Sequence, residues 1–219
     1  MISRAQAHYL AELYRLQQDR EGYVSLSVLA DTMDSSLQAV SRMVRRLRDA
    51  GLMEHEPYQG VRLTAQGQRL SMPAIRRHRL IEVFLVRVMG FGWDEAHDLT
   101  DHLELGVNEA LEDRMDALAG HPTRCPHGEP IPSKDGVMPA LDDVCLLDCQ
   151  PGTAVRISRV RTREGAKLRY IAELSLLPGT ALDFVSQAPF GGPLRLAFGG
   201  REHVIGRELA GTLWVDVAT

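Results

Sequence analysis

The chain has 219 residues and a formal net charge of −4, room for one large domain or two to three small ones. Hydrophobic residues make up 44% and aromatic residues only 5%, so a core must be built mainly from Leu, Val and Ala. The opening MISRAQAHYL lacks the apolar stretch of a secretory leader, and no uninterrupted apolar run of about 18 residues is present to span a bilayer. Cysteines 125, 145 and 149 are odd in number, which suits reduced thiols in the cytoplasm rather than a disulfide framework.

Up to about residue 70, Leu10, Leu13, Tyr14 and Leu16 recur at helical spacing until Gly22 breaks the pattern. Ser25 can cap a short second helix. Asp34, Ser35 and Ser36 then supply a turn and an N-cap for a third helix, which Gly51 ends. Two strand-like runs follow, LMEHE and GVRLT, joined by Pro57, Tyr58, Gln59 and Gly60. This order predicts a winged helix-turn-helix over residues 1–70. On the third helix Val40, Val44 and Leu47 share an apolar face, while Gln38, Arg42, Arg45 and Arg46 cluster opposite. Those side chains carry donors suited to guanine and adenine edges in a major groove. Ser35 and Ser36 are placed for phosphate contacts at the helix N-terminus, and Tyr58 and Arg62 for contacts from the hairpin. Between Ser35 and Leu80 nine arginines face three acids, a local net charge of +6 in an acidic chain. That balance favours a polyanionic partner, double-stranded DNA, although winged helices also serve as protein-binding modules.

Residues 71–139 are expected to form a helical dimerisation domain ending in a Pro/Gly-rich loop. Pro73 can open a helix that Gly90 ends; Asp94 can cap a second over 96–105, and Asn108 a third. Three short helices with this much apolar surface need a second copy of the chain, so a homodimer is expected. His78 and Glu82 fall on one helix face, and His97, Asp101 and Glu104 on another. A mixed imidazole and carboxylate set suits borderline divalent ions. Cys125 and His127 in the loop HPTRCPHGEPIP are taken as parts of an ordered loop, and Cys145 and Cys149 as small apolar residues. Residues 140–219 turn to β composition, with TAVRISRV, ALDFV, PLRLAF and TLWVDV separated by Gly and Pro. The fold class is therefore mainly α with a small all-β, barrel-like domain.

The winged helix-turn-helix followed by IRRHRLIEVFL, EAHDLTDHLE and HPTRCPHGEPIP resembles the diphtheria toxin repressor family of iron- and manganese-dependent regulators. The C-terminal part resembles the SH3-like (FeoA-type) domain of its longer members. The resemblance implies one metal site from His78, Glu82 and His97 and a second from His8, Asp101 and Glu104. His8 stands where relatives carry Met or Asp. Asp101 stands where iron-type members carry Cys and manganese-type members Glu, so a hard carboxylate there favours Mn(II) over Fe(II). Leu105 replaces a family histidine and Ala11 a carboxylate, which leaves the second site short of ligands, to be weaker, water-filled or rebuilt with Glu12. Glu164 falls near the place from which the SH3-like domain of longer relatives lends a carboxylate to the first site. The function implied is a metal-dependent repressor of metal-uptake genes. The alternative is a dimeric winged-helix regulator answering to a small organic ligand. No HExxH, nucleophile elbow or phosphate-binding glycine loop supports an enzyme, and no organic cofactor is implied.

Overall fold

The computed structural model describes residues 2–19 and 22–217 and divides into two compact units, 1–78 with 132–138, and 79–131 with 139–219. The first unit opens with α1 (Arg4–Asp19), α2 (Leu26–Thr32) and α3 (Leu37–Asp49), followed by the hairpin β1 (Met53–Glu56) and β2 (Gly60–Leu63). Ser25 and Ser36 cap α2 and α3, their hydroxyls accepting from the amides of Val28 and Ala39. Leu10 and Leu13 of α1, Leu29 of α2, and Val40, Val44 and Leu47 of α3 close one aliphatic core with Val61. The hairpin is stitched to the start of α2 by reciprocal backbone bonds of 2.8 Å between Val24 and Val61. Gly60 makes that approach feasible: a Cβ there would lie 2.1 Å from the Val24 carbonyl oxygen.

Helix α4 (Ala65–Arg87) differs from expectation, because Pro73 lies inside it rather than at its start. A proline in a helix interior removes one amide donor and ordinarily costs about 3 kcal/mol. Here the flanking turns are buried, with Met72, Ala74 and Ile75 packed together, and tertiary packing carries the helix through. Its later turns belong to the second unit, with α5 (Ala96–Leu103) and α6 (Glu109–Leu118). Asn108 caps α6 as expected. Asp94 does not cap α5, which starts without a side-chain cap; its carboxylate instead meets Arg169 at 3.3 Å.

The rest of that unit is the expected β domain. It comprises β3 (Val144–Cys145), β4 (Thr153–Val160), α7 (Gly165–Glu173), β5 (Ala181–Gln187), β6 (Leu194–Phe198), β7 (Arg201–Ile205), α8 (Arg207–Ala210) and β8 (Leu213–Val217). One antiparallel sheet has the order β3-β8-β4-β5-β6-β7. Among the described residues β3 and β7 do not pair, so the domain is SH3-like without the closure of a barrel. Ile157, Phe184, Leu194, Leu196 and Val215 line the inner face, and Leu168 and Ile171 of α7 cover it. The ladder shifts register between Ile157 and Arg159. Such a bulge re-aims the side chain beyond it, and Arg159 is accordingly buried.

Candidate metal centre

In the first unit α3 presents its polar face outward. Gln38, Arg42, Arg45 and Arg46 are exposed, and the three arginines form no ion pair among the described residues. Tyr58, at the hairpin tip, is fully exposed. Arg62 is engaged locally: its Nε donates to Glu54 at 2.6 Å and its guanidinium lies 4.9 Å over the Tyr23 ring. The Ser36 hydroxyl caps its helix, while Ser35 holds the Ala30 carbonyl through its amide. On α1, His8 has a buried Nδ1 without a hydrogen-bond partner. One turn on, the Glu12 carboxylate is buried and pairs with Arg15. His78 is buried on α4, one turn before Glu82.

In the second unit, two segments converge on Glu82 of α4. Helix α5 brings His97, whose Nδ1 lies 3.2 Å from Glu82 Oε1. Its Nε2 lies 3.9 Å from Asp101 Oδ2. The Pro/Gly-rich loop brings His127, whose Nδ1 is 3.7 Å from Glu82 Oε2, and Cys125, whose Sγ is 4.0 Å from that same Nδ1. Glu82, Cys125 and His127 each offer a ligand atom within 4.8 Å of the others, and all three residues are buried. Glu104 is buried at the end of α5, whereas Asp101 is exposed. Glu164, considered as an added ligand, pairs with Lys167 at 2.7 Å.

Cys125 and His127 are thus functional candidates that sequence reasoning set aside as ordinary loop. A C-x-H spacing in a loop has no helical or strand period to mark which way its side chains point. The only local signal is the surrounding run of Pro and Gly, which here specifies a tightly hydrogen-bonded loop: Gly128 donates to Cys125 O and Cys125 to Glu129 O, each at 2.9 Å. The ring of His127 is held from its far side, with Nε2 3.0 Å from the Trp93 carbonyl and the Trp93 ring stacked at 5.2 Å.

Electrostatics favour a cation here. Burial alone would lower the basicity of His127, but the Glu82 charge and hydrogen bonds with Cys125 and Glu82 outweigh it and raise the imidazole well above its ordinary value. Burial, reinforced by the Glu82 charge, raises the Cys125 thiol against the opposing pull of His127. A buried carboxylate draws a positive charge toward itself, and in this cluster a proton on His127 supplies it. A divalent ion fits the same role, since carboxylate, imidazole and thiolate are ligands that borderline divalent ions accept.

Comparison with known proteins agrees with this division of labour. Residues 1–61 match the N-terminal DNA-binding domain of iron-dependent repressors. Residues 64–133 match their metal-binding and dimerisation domain, and residues 144–217 the FeoA domain. A manganese-dependent transcriptional repressor solved in complex with manganese superposes with a TM-score of 0.89 at 32% identity, covering 97% of this chain and 100% of that one. The iron-dependent repressor IdeR of Mycobacterium tuberculosis is 33% identical over 144 residues, 64% of this chain and 62% of that protein. The match therefore spans somewhat under two thirds of that relative's length. The diphtheria toxin repressor of Corynebacterium diphtheriae is 23% identical over 223 residues, 95% of each chain. The chain belongs to the diphtheria toxin repressor family of metal-dependent, DNA-binding transcriptional repressors, with N-terminal DNA-binding, central metal-binding and dimerisation, and C-terminal FeoA domains. Its members are transcription repressors, not enzymes.

Proposed function

We propose that the chain is a cytoplasmic, homodimeric repressor that binds operator DNA when loaded with Mn(II), and that it represses genes for metal uptake. The observation that carries this reading is the buried convergence of Glu82, Cys125 and His127, whose charge balance calls for a cation. One centre uses these three residues with His97, and the resemblance adds His78, one helical turn before Glu82 on α4. The resemblance implies a second set, His8, Asp101 and Glu104; within its own unit His8 offers a buried Nδ1 without a hydrogen-bond partner. The carboxylates of Glu82, Asp101 and Glu104 make the combined set hard, which favours Mn(II); the Cys125 thiolate keeps Fe(II) as the competing ion. Gln38, Arg42, Arg45 and Arg46 read base edges, and Ser35, Ser36, Tyr58 and Arg62 contact the backbone. For Arg62 this requires exchanging Glu54 for a phosphate.

Metal acts as a switch only to the extent that it binds the DNA-competent shape more tightly; a tenfold preference supplies about 1.4 kcal/mol. The test uses an operator selected from a random DNA pool by the Mn(II)-loaded protein, with affinity measured by anisotropy at fixed salt. Removing metal with a chelator is expected to weaken binding at least tenfold in wild type, with Glu82→Gln weak in both conditions. Equal operator affinity with chelator and with Mn(II) would defeat the reading.

A further inference from the structure

The turn that carries Cys125 and His127 has a second face. On its other side the His127 carbonyl accepts from the Val160 amide of β4 at 2.8 Å. Gly128 presses so close to β4 that a Cβ would lie 2.0 Å from the Ser158 carbonyl oxygen, and its φ of +86° is one that L side chains rarely adopt. Glu129, the next residue, gathers cations from both sides. Arg79 of α4 reaches its carboxylate at 3.0 Å, Arg159 of β4 at 3.2 Å, and Arg161 just beyond β4 at 3.8 Å. Arg159 is also gripped by both oxygens of Asp143 at 2.7 Å, and the guanidiniums of Arg159 and Arg161 lie over the Trp214 ring at 4.7 and 4.8 Å.

We propose that Glu129 is a positioning residue that locks the Cys125–His127 turn to strand β4, so that metal capture at the turn is transmitted to the C-terminal β domain as a tightening of β4. The inference rests on the metal reading given above. Neutralising the partly buried Glu129 carboxylate removes the counter-charge that the three guanidiniums share at the turn, with Asp143 still holding Arg159 from the other side. The turn would then lose its ion pairs to α4 and β4, and the ligands it carries would be held less rigidly. A cation gripping Glu82, Cys125 and His127 stiffens the turn from its other face. Because the His127 carbonyl is bonded to Val160, the two constraints act on one short piece of backbone, and each makes the other less costly in entropy.

Hydrogen exchange of the full-length protein, resolved at the β4 segment around Val160, tests this beside calorimetric titration of Mn(II). In wild type, saturating Mn(II) is expected to slow β4 exchange at least tenfold. Glu129→Gln is expected to bind Mn(II) about tenfold more weakly and, at saturation, to slow β4 less than twofold, with Glu129→Asp restoring much of both. Asp143→Asn removes another carboxylate from Arg159 without touching the turn, so it should lower stability yet keep the Mn(II)-induced slowing. Absence of Mn(II) binding to wild type would overturn the metal reading, and this inference with it. Mn(II) binding with unchanged β4 exchange, or a Glu129→Gln response equal to wild type, would overturn the coupling alone. The wild-type comparison stands by itself if Glu129→Gln does not fold.

Discussion

Glu82 sits between two imidazoles, one oxygen toward His97 and the other toward His127, so a single carboxylate organises the centre. The neighbouring Asp143 shows how charge is stabilised in this unit. Burial by itself would push the Asp143 carboxyl up, but hydrogen bonds from Arg159 and Ser158 and the Arg159 charge more than offset it and hold the group below the usual carboxylate range. A carboxyl depressed in the folded state contributes stability that is present above its unfolded pKa of about 4 and is lost as pH falls through the lower folded value. Asp143→Asn is therefore expected to lower stability at pH 7 by about 3 kcal/mol, the scale for breaking a buried ion pair. It should also flatten the acid limb of the stability curve below about pH 4. Urea melts at pH 7 and pH 3 check this; a variant whose loss is as large at pH 3 as at pH 7 would contradict the linkage.

At the scale of elements, what the sequence makes legible follows local chemistry. The caps Ser25, Ser36 and Asn108 mark true helix starts because each side chain satisfies an orphan amide within three residues. The hairpin is marked by its turn residues, and the two faces of α3 by their period. Pro73 misleads because buried contacts on either side of it override propensity. Asp94 misleads because it finds Arg169 from a distant helix. Helix α7 lacks a side-chain cap and sits among strands, so nothing local announces it, and β7 (REHVI) is too polar to read as a strand. For the centre, the helical ligands are visible as i, i+4 sets, while Cys125 and His127 become visible only once their loop is folded against Glu82. The same element-level argument supports the proposal that α3 is the reading helix. Arg42→Ala and Arg45→Ala are each expected to cost about 1–3 kcal/mol in affinity for the selected operator while leaving the thermal midpoint unchanged. Wild-type affinity in both variants would remove α3 from that role.

Across the whole molecule, α5 and α6 with the residues just after them leave Leu103, Leu105, Leu111 and Leu118 exposed, by 43% to 62%. Isolated exposed leucines are ordinary, but four in one helical segment suit a face covered by a second copy. Leu105 in particular, with no ligating atom in its side chain, fits an apolar contact better than a ligand role. The double variant Leu111→Glu and Leu118→Glu is expected to sediment as a monomer where wild type sediments as a dimer, and to bind the two-fold operator at least tenfold more weakly. A double variant that remains dimeric would move the interface elsewhere. No helix among the described residues is long and apolar enough to cross a membrane.

What neutralises Glu82 in the working protein decides between a metal-switched repressor and one without a metal. Crystals grown with the Mn(II) concentration that saturates operator binding, measured by anomalous scattering across the manganese edge, address that directly. A manganese peak within bonding distance of Glu82, Cys125 Sγ and His127 is the expected result. Manganese absent from that cluster while the operator is fully bound would contradict it.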